Sequence, residues 1–378
     1  MSGLYLHIPF CKQACSYCDF YFVTRQGKKQ DFVAELIKEI HSKKDTRYTT
    51  EIVKTVYFGG GTPSLLSPKQ IEQILEAIEQ VFELHPEEVT LEMNPDDVNK
   101  EYLADLRSAG ITRASMGVQT FNQQLLNFMN RAHSKEEALH CLEVLSSSGI
   151  HSYTVDLIYG NPDQTLEMLE KDVDVLLGFN PPHVSAYSLT IEPKTRLGRQ
   201  LELGSLIAPE DDLVALHFDL VEKRLREVGI LQYEVSNFAK PGFEARHNSA
   251  YWSHENYLGL GPGAHSFWWN DIGQSAERWI NEPDLNSYLS GGWENRAEVD
   301  QLSKHDLAEE RLMLGLRTVQ GLDLSNLEKQ YDFKLNPKQE IYLHQKVKEG
   351  KAVFTESRLY LTKEGLKIAD AITLDLLS

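Results

Sequence analysis

The sequence predicts an α/β fold: a partial (β/α)6 barrel followed by a smaller, mostly helical C-terminal domain with a hairpin. Two observations lead to it. Short apolar runs of strand character alternate with segments of helical periodicity along the first half of the chain. After about residue 211 this rhythm changes. Because 378 residues exceed the roughly 200 to 250 that one barrel needs, a second core is expected.

Six apolar runs are the predicted strands of the barrel. Helical patterns fill the intervals between them, as where Ile71, Ile74 and Ile78 recur on one face. Strands that alternate with helices pair in parallel through right-handed crossovers, which gives an incomplete barrel or an open sheet, and we favour the barrel. The predicted strands are 4–8, 53–58, 89–93, 114–118, 153–159 and 184–189.

The chain divides into three predicted regions. Residues 1–235 form the barrel domain, which includes a long helix over 211–226. Residues 236–300 form a connecting region rich in glycine, aromatic residues and histidine. Residues 301–378 form a helical domain with a hairpin over 352–361, in an order that resembles a winged helix. We expect this last domain to act as a lid or a docking module.

Composition and charge exclude several classes of function. Lys and Arg number 38 against 56 Asp and Glu, and the net charge of −18 argues against a nucleic-acid partner. No stretch approaches the ~20 apolar residues of a transmembrane segment, and the first residues lack the layout of a signal peptide, which predicts a cytoplasmic protein. Three of the four cysteines fall within eight residues, which favours metal ligation over disulfides.

Cys11, Cys15 and Cys18 follow the first predicted strand, at the end where barrel enzymes collect their chemistry. Three thiolates on one short loop suit a 4Fe-4S cluster with one iron left open, because the usual cluster takes four cysteines. The alternative is a zinc site completed by His7, although zinc ligands usually come as two separated pairs. Cys141 lies in a helical pattern and is interpreted as a small core residue.

Polar residues close the other predicted strands and would face the same end of the barrel. The GGGT run at 59–62 follows the second strand, and its backbone N–H groups can approach a carboxylate closely. Glu92 and Asn94 end the third strand, Gln119 ends the fourth, and Asp156 lies within the fifth. Together they indicate a polar pocket, although each alone could equally be a structural hydrogen-bonding group.

The spacing CxxxCxxC, with Tyr17 just before the third cysteine, resembles the signature of the radical-SAM superfamily. The resemblance implies that the three cysteines hold a 4Fe-4S cluster whose open iron binds the amino and carboxylate groups of S-adenosylmethionine. It also implies that an electron passed to the sulfonium yields methionine and a 5′-deoxyadenosyl radical.

Further motifs extend the resemblance to nearly the whole chain. YLHIPF at 5–10, GGGTP at 59–63, EMNP at 92–95, GVQ at 117–119, NR at 130–131 and DLIYG at 156–160 are all similar to the oxygen-independent coproporphyrinogen III oxidase (dehydrogenase) branch. In that branch Glu92 or Asp156 would accept from ribose hydroxyls, and Arg131 would complement a carboxylate. The resemblance implies S-adenosylmethionine contacts from Tyr5, Gly60, Gly61, Thr62, Glu92, Gln119, Arg131 and Asp156.

Two departures from that branch resemble its sister group, the HemW-type heme chaperones. Phe20 stands where the dehydrogenase carries a further cysteine, and only four residues precede Tyr5, where the dehydrogenase has an N-terminal arm. The run RHNSAYW at 246–252 is also similar to that group's HNxxYW heme-binding motif.

The HNxxYW resemblance implies that His247 is an axial heme ligand. Tyr251 and Trp252 offer flat apolar surface to a porphyrin, and Arg246 suits a heme propionate. The rival ligands are His254 and His265.

The expected function is heme binding and transfer to an acceptor hemoprotein, such as a respiratory one. An electron donor is implied if radical chemistry occurs. Two alternatives stay open: a coproporphyrinogen III dehydrogenase, and a zinc-stabilised scaffold without redox chemistry.

Overall fold

The computed structural model describes residues 2–377. Within them, strands form one large and one small sheet. The large sheet contains β1 (Ser2–Ile8), β2 (Val53–Gly60), β3 (Leu84–Met93), β4 (Arg113–Gln119), β5 (Ser152–Tyr159), β6 (His183–Ser188), β7 (Leu231–Gln232), β8 (Asn237–Ala239), β9 (Asn256–Leu260), β10 (His265–Asp271), β11 (Ser275–Asn281) and β12 (Arg296–Leu302). The small sheet contains β13 (Leu322–Asp323), β14 (Ala352–Phe354) and β15 (Arg358–Leu361).

β1 to β6 pair in parallel in chain order, which confirms the partial barrel and all six strands predicted from the sequence. Alternate residues of β1, such as Leu4 and Leu6, are buried in one apolar core together with Phe32. The helices between the strands are α1 (Lys29–Ser42), α2 (Pro68–Glu79), α3 (Lys100–Ser108), α4 (Gln123–Phe128), α5 (Lys135–Ser146) and α6 (Leu166–Gly178).

Local sequence explains where these helices begin. α2 starts at a capping box in which the Ser67 side chain accepts from the Gln70 N–H and the Gln70 side chain accepts from the Ser67 N–H. Pro68 occupies the first turn, where its missing N–H costs nothing. Cys141 lies on α5, fully buried, with its Sγ 3.3 Å from the Met116 Sδ, so its interpretation as a core residue is confirmed.

The large sheet continues beyond the barrel at both edges. β9 pairs in parallel with β1, and the antiparallel strands β10 to β12 follow it, while β8 and β7 continue from β6. Residues 236–300, expected as a connecting region, therefore contribute β8 to β11 and most of β12 to the same sheet. Trp268 and Trp279 pack on Tyr48, and these side chains join the apolar core of the barrel. The helices on this side are α7 (Arg196–Glu202), α8 (Asp211–Glu227), α9 (Arg246–Trp252) and α10 (Leu285–Leu289).

The C-terminal part folds around a second apolar cluster, which it shares with Phe267 and Ala276 of the large sheet. The predicted hairpin is confirmed, because β14 pairs antiparallel with β15. The helices are α11 (Lys304–Leu316), α12 (Leu324–Tyr331), α13 (Pro337–Lys348), α14 (Lys363–Leu366) and α15 (Ala369–Leu377). Among residues 2–377, no helix has the length and apolarity needed to cross a membrane.

The two ends of the barrel carry different parts of the chain. The loop after β1, residues 9–23, carries the three cysteines and is called the cysteine loop below. Helix α9 lies at the other end, where its His247 contacts Thr55 near the start of β2 and where a Cβ on Gly3 of β1 would stand 3.1 Å from the His247 ring. The cysteines and the HNxxYW motif are thus at opposite ends.

Candidate functional site

A cavity of about 500 Å³ opens at the C-terminal ends of the barrel strands and is called the mouth cavity below. Cys11, Cys15 and Cys18 form part of its wall. Tyr5 lies one layer behind this wall, with its hydroxyl 3.2 Å from the His7 Nδ1 and its ring stacked on Tyr57. The other residues implied for S-adenosylmethionine all line the cavity: Gly60, Gly61, Thr62, Glu92, Gln119, Arg131 and Asp156.

The turn after α4 holds the cysteine loop in place. The Ser16 N–H donates to the Met129 carbonyl at 2.9 Å. The Asn130 side-chain amide donates to the Ala14 carbonyl at 2.7 Å, and the Asn130 carbonyl accepts from the Gln13 Nε2 at 3.0 Å. Asn130 has φ +56°, a left-handed conformation that asparagine tolerates better than most residues. These contacts fix the cysteine loop through protein groups alone.

Charged and hydroxyl groups stand against two of the thiols. The Arg131 Nη1 lies 3.3 Å from the Cys15 Sγ, and the Thr62 hydroxyl lies 3.6 Å from the Cys11 Sγ. Burial raises the pKa of the Cys11 thiol and raises that of Cys18 to about 12. A bound metal reverses this preference, because coordination stabilises the thiolate.

Two carboxyl groups face the middle of the mouth cavity. Glu92 accepts from the Tyr57 hydroxyl at 2.7 Å and from the Gly60 N–H at 3.2 Å, and burial raises its pKa. Burial and then the charge of Glu92 raise the pKa of Asp156 to about 7. Near neutral pH this pair can both accept hydrogen bonds and donate one, which suits recognition of hydroxyl groups.

The glycine run at the end of β2 has a different role from the one expected. The Gly61 N–H donates to the Ile8 carbonyl at 2.8 Å and the Thr62 N–H donates to the Phe10 carbonyl at 2.7 Å, so these groups do not face a ligand. Glycine is required by space, because a Cβ on Gly61 would stand 2.7 Å from the Phe10 carbonyl oxygen. The run ties the start of the cysteine loop to β2.

The residues of the mouth cavity fit a 4Fe-4S cluster and S-adenosylmethionine. Cys11, Cys15 and Cys18 would hold the cluster, which when bound supplies one-electron chemistry. The buried Arg131 Nε has no hydrogen-bond partner within residues 2–377, so a donor remains for an incoming carboxylate. Gln119 has φ +68° beside this donor, and such strain is common at binding sites. In the described part of the chain, no group of three or more His, Cys, Asp or Glu converges on a single metal ion.

His247 of the HNxxYW motif is 1% exposed. Its Nδ1 lies 2.8 Å from the Thr55 hydroxyl and its Nε2 lies 2.8 Å from the Tyr251 hydroxyl. Burial lowers the pKa of His247 to about 3, which keeps the imidazole neutral. Its ring stacks on Tyr57, whose hydroxyl donates to Glu92 in the mouth cavity. An iron atom can reach Nε2 only if the Tyr251 hydroxyl moves away.

The remaining residues considered for heme are dispersed. Trp252 is half-buried, and its carbonyl accepts from the Arg311 Nη1 at 2.7 Å. His254 is buried, and its two ring nitrogens contact the Tyr331 hydroxyl at 3.3 Å and the Glu310 carboxylate at 3.2 Å. His265 begins β10 and is exposed.

A partial parallel barrel with three thiols in the loop after its first strand defines a radical-SAM protein. Residues 5–176 match the family described as the Radical SAM superfamily, and residues 302–368 match the HemN C-terminal domain. The fold is similar to that of coproporphyrinogen III oxidase (HemN) from Escherichia coli, with a TM-score of 0.82 and 23% identity over 99% of this chain and 89% of that one.

Sequence relatives give the narrower assignment. The chain is 34% identical to the heme chaperone HemW of Lactococcus lactis over 374 residues, which cover 98% of this chain and 96% of that protein. It is 33% identical to the heme chaperone HemW of Bacillus subtilis over 380 residues, which cover 98% of each. The chain therefore belongs to the HemW family of the radical-SAM superfamily.

Proposed function

We propose that this protein is a cytoplasmic heme chaperone, which binds heme and passes it to an acceptor hemoprotein. In this proposal Cys11, Cys15 and Cys18 carry a 4Fe-4S cluster, and S-adenosylmethionine binds exchangeably beside it in the mouth cavity. The names of the HemW relatives, which match along almost the whole chain, support the heme cargo.

Phe20 is the observation that carries the choice against a dehydrogenase. Its side chain lines the mouth cavity and is 66% exposed, two residues after Cys18. A cysteine, which the dehydrogenase has at this place, could ligate metal or exchange a hydrogen atom with a substrate. A benzyl group can do neither, so the mouth cavity lacks that reactive group at its rim.

His247, Tyr251 and Trp252 are the proposed heme contacts of the HNxxYW motif. The low pKa of His247 favours the neutral imidazole, which is the form that ligates iron. Ligation by its Nε2 requires that the hydrogen bond to Tyr251 opens. His247→Ala should therefore abolish or greatly shift the Soret band while the cluster absorbance stays unchanged. An unchanged Soret band would move the assignment to His254 or His265.

Two assays separate the chaperone from the dehydrogenase. The reconstituted protein, loaded with hemin, should convert an apo-hemoprotein to its holo form, measured by the acceptor's activity. Anaerobic incubation with coproporphyrinogen III, reductant and S-adenosylmethionine should leave the porphyrinogen unchanged. Accumulation of protoporphyrinogen would overturn the proposal and establish the dehydrogenase instead.

Metal analysis tests the cluster itself and addresses the zinc scaffold. Anaerobic reconstitution should give more than three irons per chain, because a cube of four irons is expected. Simultaneous replacement of Cys11, Cys15 and Cys18 by serine should remove the iron. Metal retained by that variant, or zinc in place of iron in the wild type, would contradict the cluster assignment.

A further inference from the structure

The mouth cavity extends through the interior of the barrel as far as helix α9. Asn248, the residue after His247 in the HNxxYW motif, lines the cavity together with Ala245, which precedes the helix. Thr90 also lines it, two residues before Glu92 on β3 and therefore roughly 7 Å deeper in the barrel. The motif thus borders the same cavity as the three cysteines, although its helix lies at the opposite end of the barrel.

Two polar groups at this inner end of the cavity have no partner. Thr90 is fully buried, and its hydroxyl makes no hydrogen bond with any residue of 2–377. Asn248 is half-buried, and its side-chain amide makes no hydrogen bond within the described part of the chain. Polar groups removed from the surface normally have partners, so both are available to a molecule that fills the cavity. An amide donates and accepts, which suits a ligand with hydroxyl groups and ring nitrogens.

Tyr57 connects His247 to a carboxyl group of the mouth cavity. Its ring centroid lies 5.0 Å from that of the imidazole, with 24° between the two planes. Its hydroxyl donates to the Glu92 carboxylate at 2.7 Å, and the other oxygen of this carboxylate accepts from the Gly60 N–H at 3.2 Å. Direct contacts therefore lead from the proposed heme ligand to the proposed S-adenosylmethionine site.

The His247 imidazole has little freedom apart from its contact with Tyr251. Its Nδ1 lies 2.8 Å from the Thr55 hydroxyl. A Cβ on Gly3 would stand 2.9 Å from that hydroxyl and 3.1 Å from the imidazole, so a glycine leaves just enough room for this pair. When iron takes the place of the Tyr251 hydroxyl at Nε2, the imidazole is held by Thr55 and by the ring of Tyr57.

Building on the proposed function, which supplies heme at His247 and S-adenosylmethionine in the mouth cavity, we propose that the two ligands strengthen each other's binding. Asn248 contacts S-adenosylmethionine directly, and Tyr57 transmits its binding to His247. A ligand that hydrogen-bonds to Glu92 holds the hydroxyl end of Tyr57 in place, and so fixes the ring against which the imidazole lies. Heme then meets an imidazole that is already positioned, so less ordering opposes its binding. Because such coupling is reciprocal, heme tightens S-adenosylmethionine by the same factor.

The test measures hemin binding to the full-length, cluster-loaded protein from the Soret band, with and without saturating S-adenosylmethionine. Reductant is left out, so that S-adenosylmethionine is not cleaved. Saturating S-adenosylmethionine should lower the dissociation constant of hemin about ten-fold, and saturating hemin should lower that of S-adenosylmethionine equally. Hemin binding that is unchanged or weakened by S-adenosylmethionine would overturn the coupling.

Tyr57→Phe tests the connection, because it keeps the ring beside His247 but removes the hydrogen bond to Glu92. The ratio of the two hemin dissociation constants should fall from about ten to less than about two. Tyr187→Phe is the matched control, since Tyr187 also lines the mouth cavity but has no ring contact with His247 among residues 2–377, and it should keep the wild-type ratio. A full ratio in Tyr57→Phe, or complete loss of S-adenosylmethionine binding by that variant, would refute the transmitting role of Tyr57.

Asn248→Leu tests the direct contact, because leucine has a similar size but no amide. Without hemin, it should bind S-adenosylmethionine about five-fold more weakly than the wild type. Its heme complex should keep the wild-type Soret band, since His247 is unchanged. Ser249→Ala is the control on the same helix, because the Ser249 hydroxyl donates to the Ala245 carbonyl and lies outside the cavity lining. Wild-type S-adenosylmethionine affinity in Asn248→Leu would refute the contact.

The outcomes separate this inference from the proposed function. If the wild type binds hemin with an affinity that does not respond to S-adenosylmethionine, the coupling is wrong and the chaperone proposal stands. If the wild type binds no hemin at all, the proposed function fails, and the coupling fails with it.

Discussion

Asp156→Asn changes a buried carboxyl group that the fold makes harder to ionise. Asp156 lies on β5 at the wall of the mouth cavity. Burial is the main reason that its pKa is raised to about 7, and the charge of Glu92 adds to this. Ser185, Arg113 and Arg131 act in the opposite direction without cancelling it. Asparagine has nearly the same shape but cannot ionise, so the substitution removes the titration alone.

The direction of the pH effect follows from the pKa of Asp156 in the unfolded and in the folded protein. In the unfolded protein Asp156 ionises near its ordinary pKa of 3.8, whereas in the folded protein it keeps its proton up to about pH 7. Its contribution to the free energy of unfolding is fully present below pH 3.8 and is lost as the pH rises towards 7 and beyond. The whole loss is at most roughly 4 kcal/mol. Because part of the side chain faces the solvent-accessible cavity, we expect about 1–2 kcal/mol between pH 5 and pH 8.

Urea unfolding of the metal-free protein at pH 5 and pH 8 measures this effect. Asp156→Asn should gain that amount of stability relative to the wild type as the pH rises. Asp163→Asn is the control, because Asp163 is exposed in the loop after the same strand and should show no such change. A stability difference that is independent of pH, or that moves in the opposite direction, would refute the account of Asp156.

Three further predictions concern the two ends of the barrel. Tyr251→Phe removes the hydroxyl that is hydrogen-bonded to the Nε2 of His247. If that nitrogen ligates iron, the affinity for hemin should rise about five-fold, because no hydrogen bond has to open first. An unchanged or lower affinity counts against ligation by His247. Asn130→Gly keeps the left-handed turn but removes the side-chain hydrogen bond to the cysteine loop, so the protein should lose iron faster to a chelator. Asn180→Gly makes the same change in another left-handed turn and should leave the rate of iron loss unchanged. Cys15→Ser should lower iron retention without changing the far-ultraviolet circular dichroism, and full iron content would contradict its role as a ligand.

Local sequence patterns predict several elements of the structure correctly. The six barrel strands, the helix that follows Ser67 and the hairpin at β14 and β15 appear where periodicity and turn residues predict them. Cys141 is buried, as its place on an apolar helical face predicts. Each of these features depends on neighbours within about ten residues, which is the range over which side-chain periodicity operates.

Features that depend on distant contacts were not predictable in this way. Residues 236–300 are predicted to form a connecting region, but they join the large sheet because β9 pairs with β1. The N–H groups of Gly61 and Thr62 bind the cysteine loop instead of facing a ligand. Tyr5 lies behind the cavity wall, although the resemblance implies that it contacts the cofactor.

Three closely spaced cysteines after a strand, together with alternating strand and helix patterns, are local features, and they suffice to predict the class of this protein. The folded structure, in contrast, places the cysteine loop and helix α9 at opposite ends of the barrel, yet brings Asn248 of the HNxxYW motif into the lining of the mouth cavity. Side chains far apart in the chain meet through strand register and helix packing, and these depend on the whole core being formed.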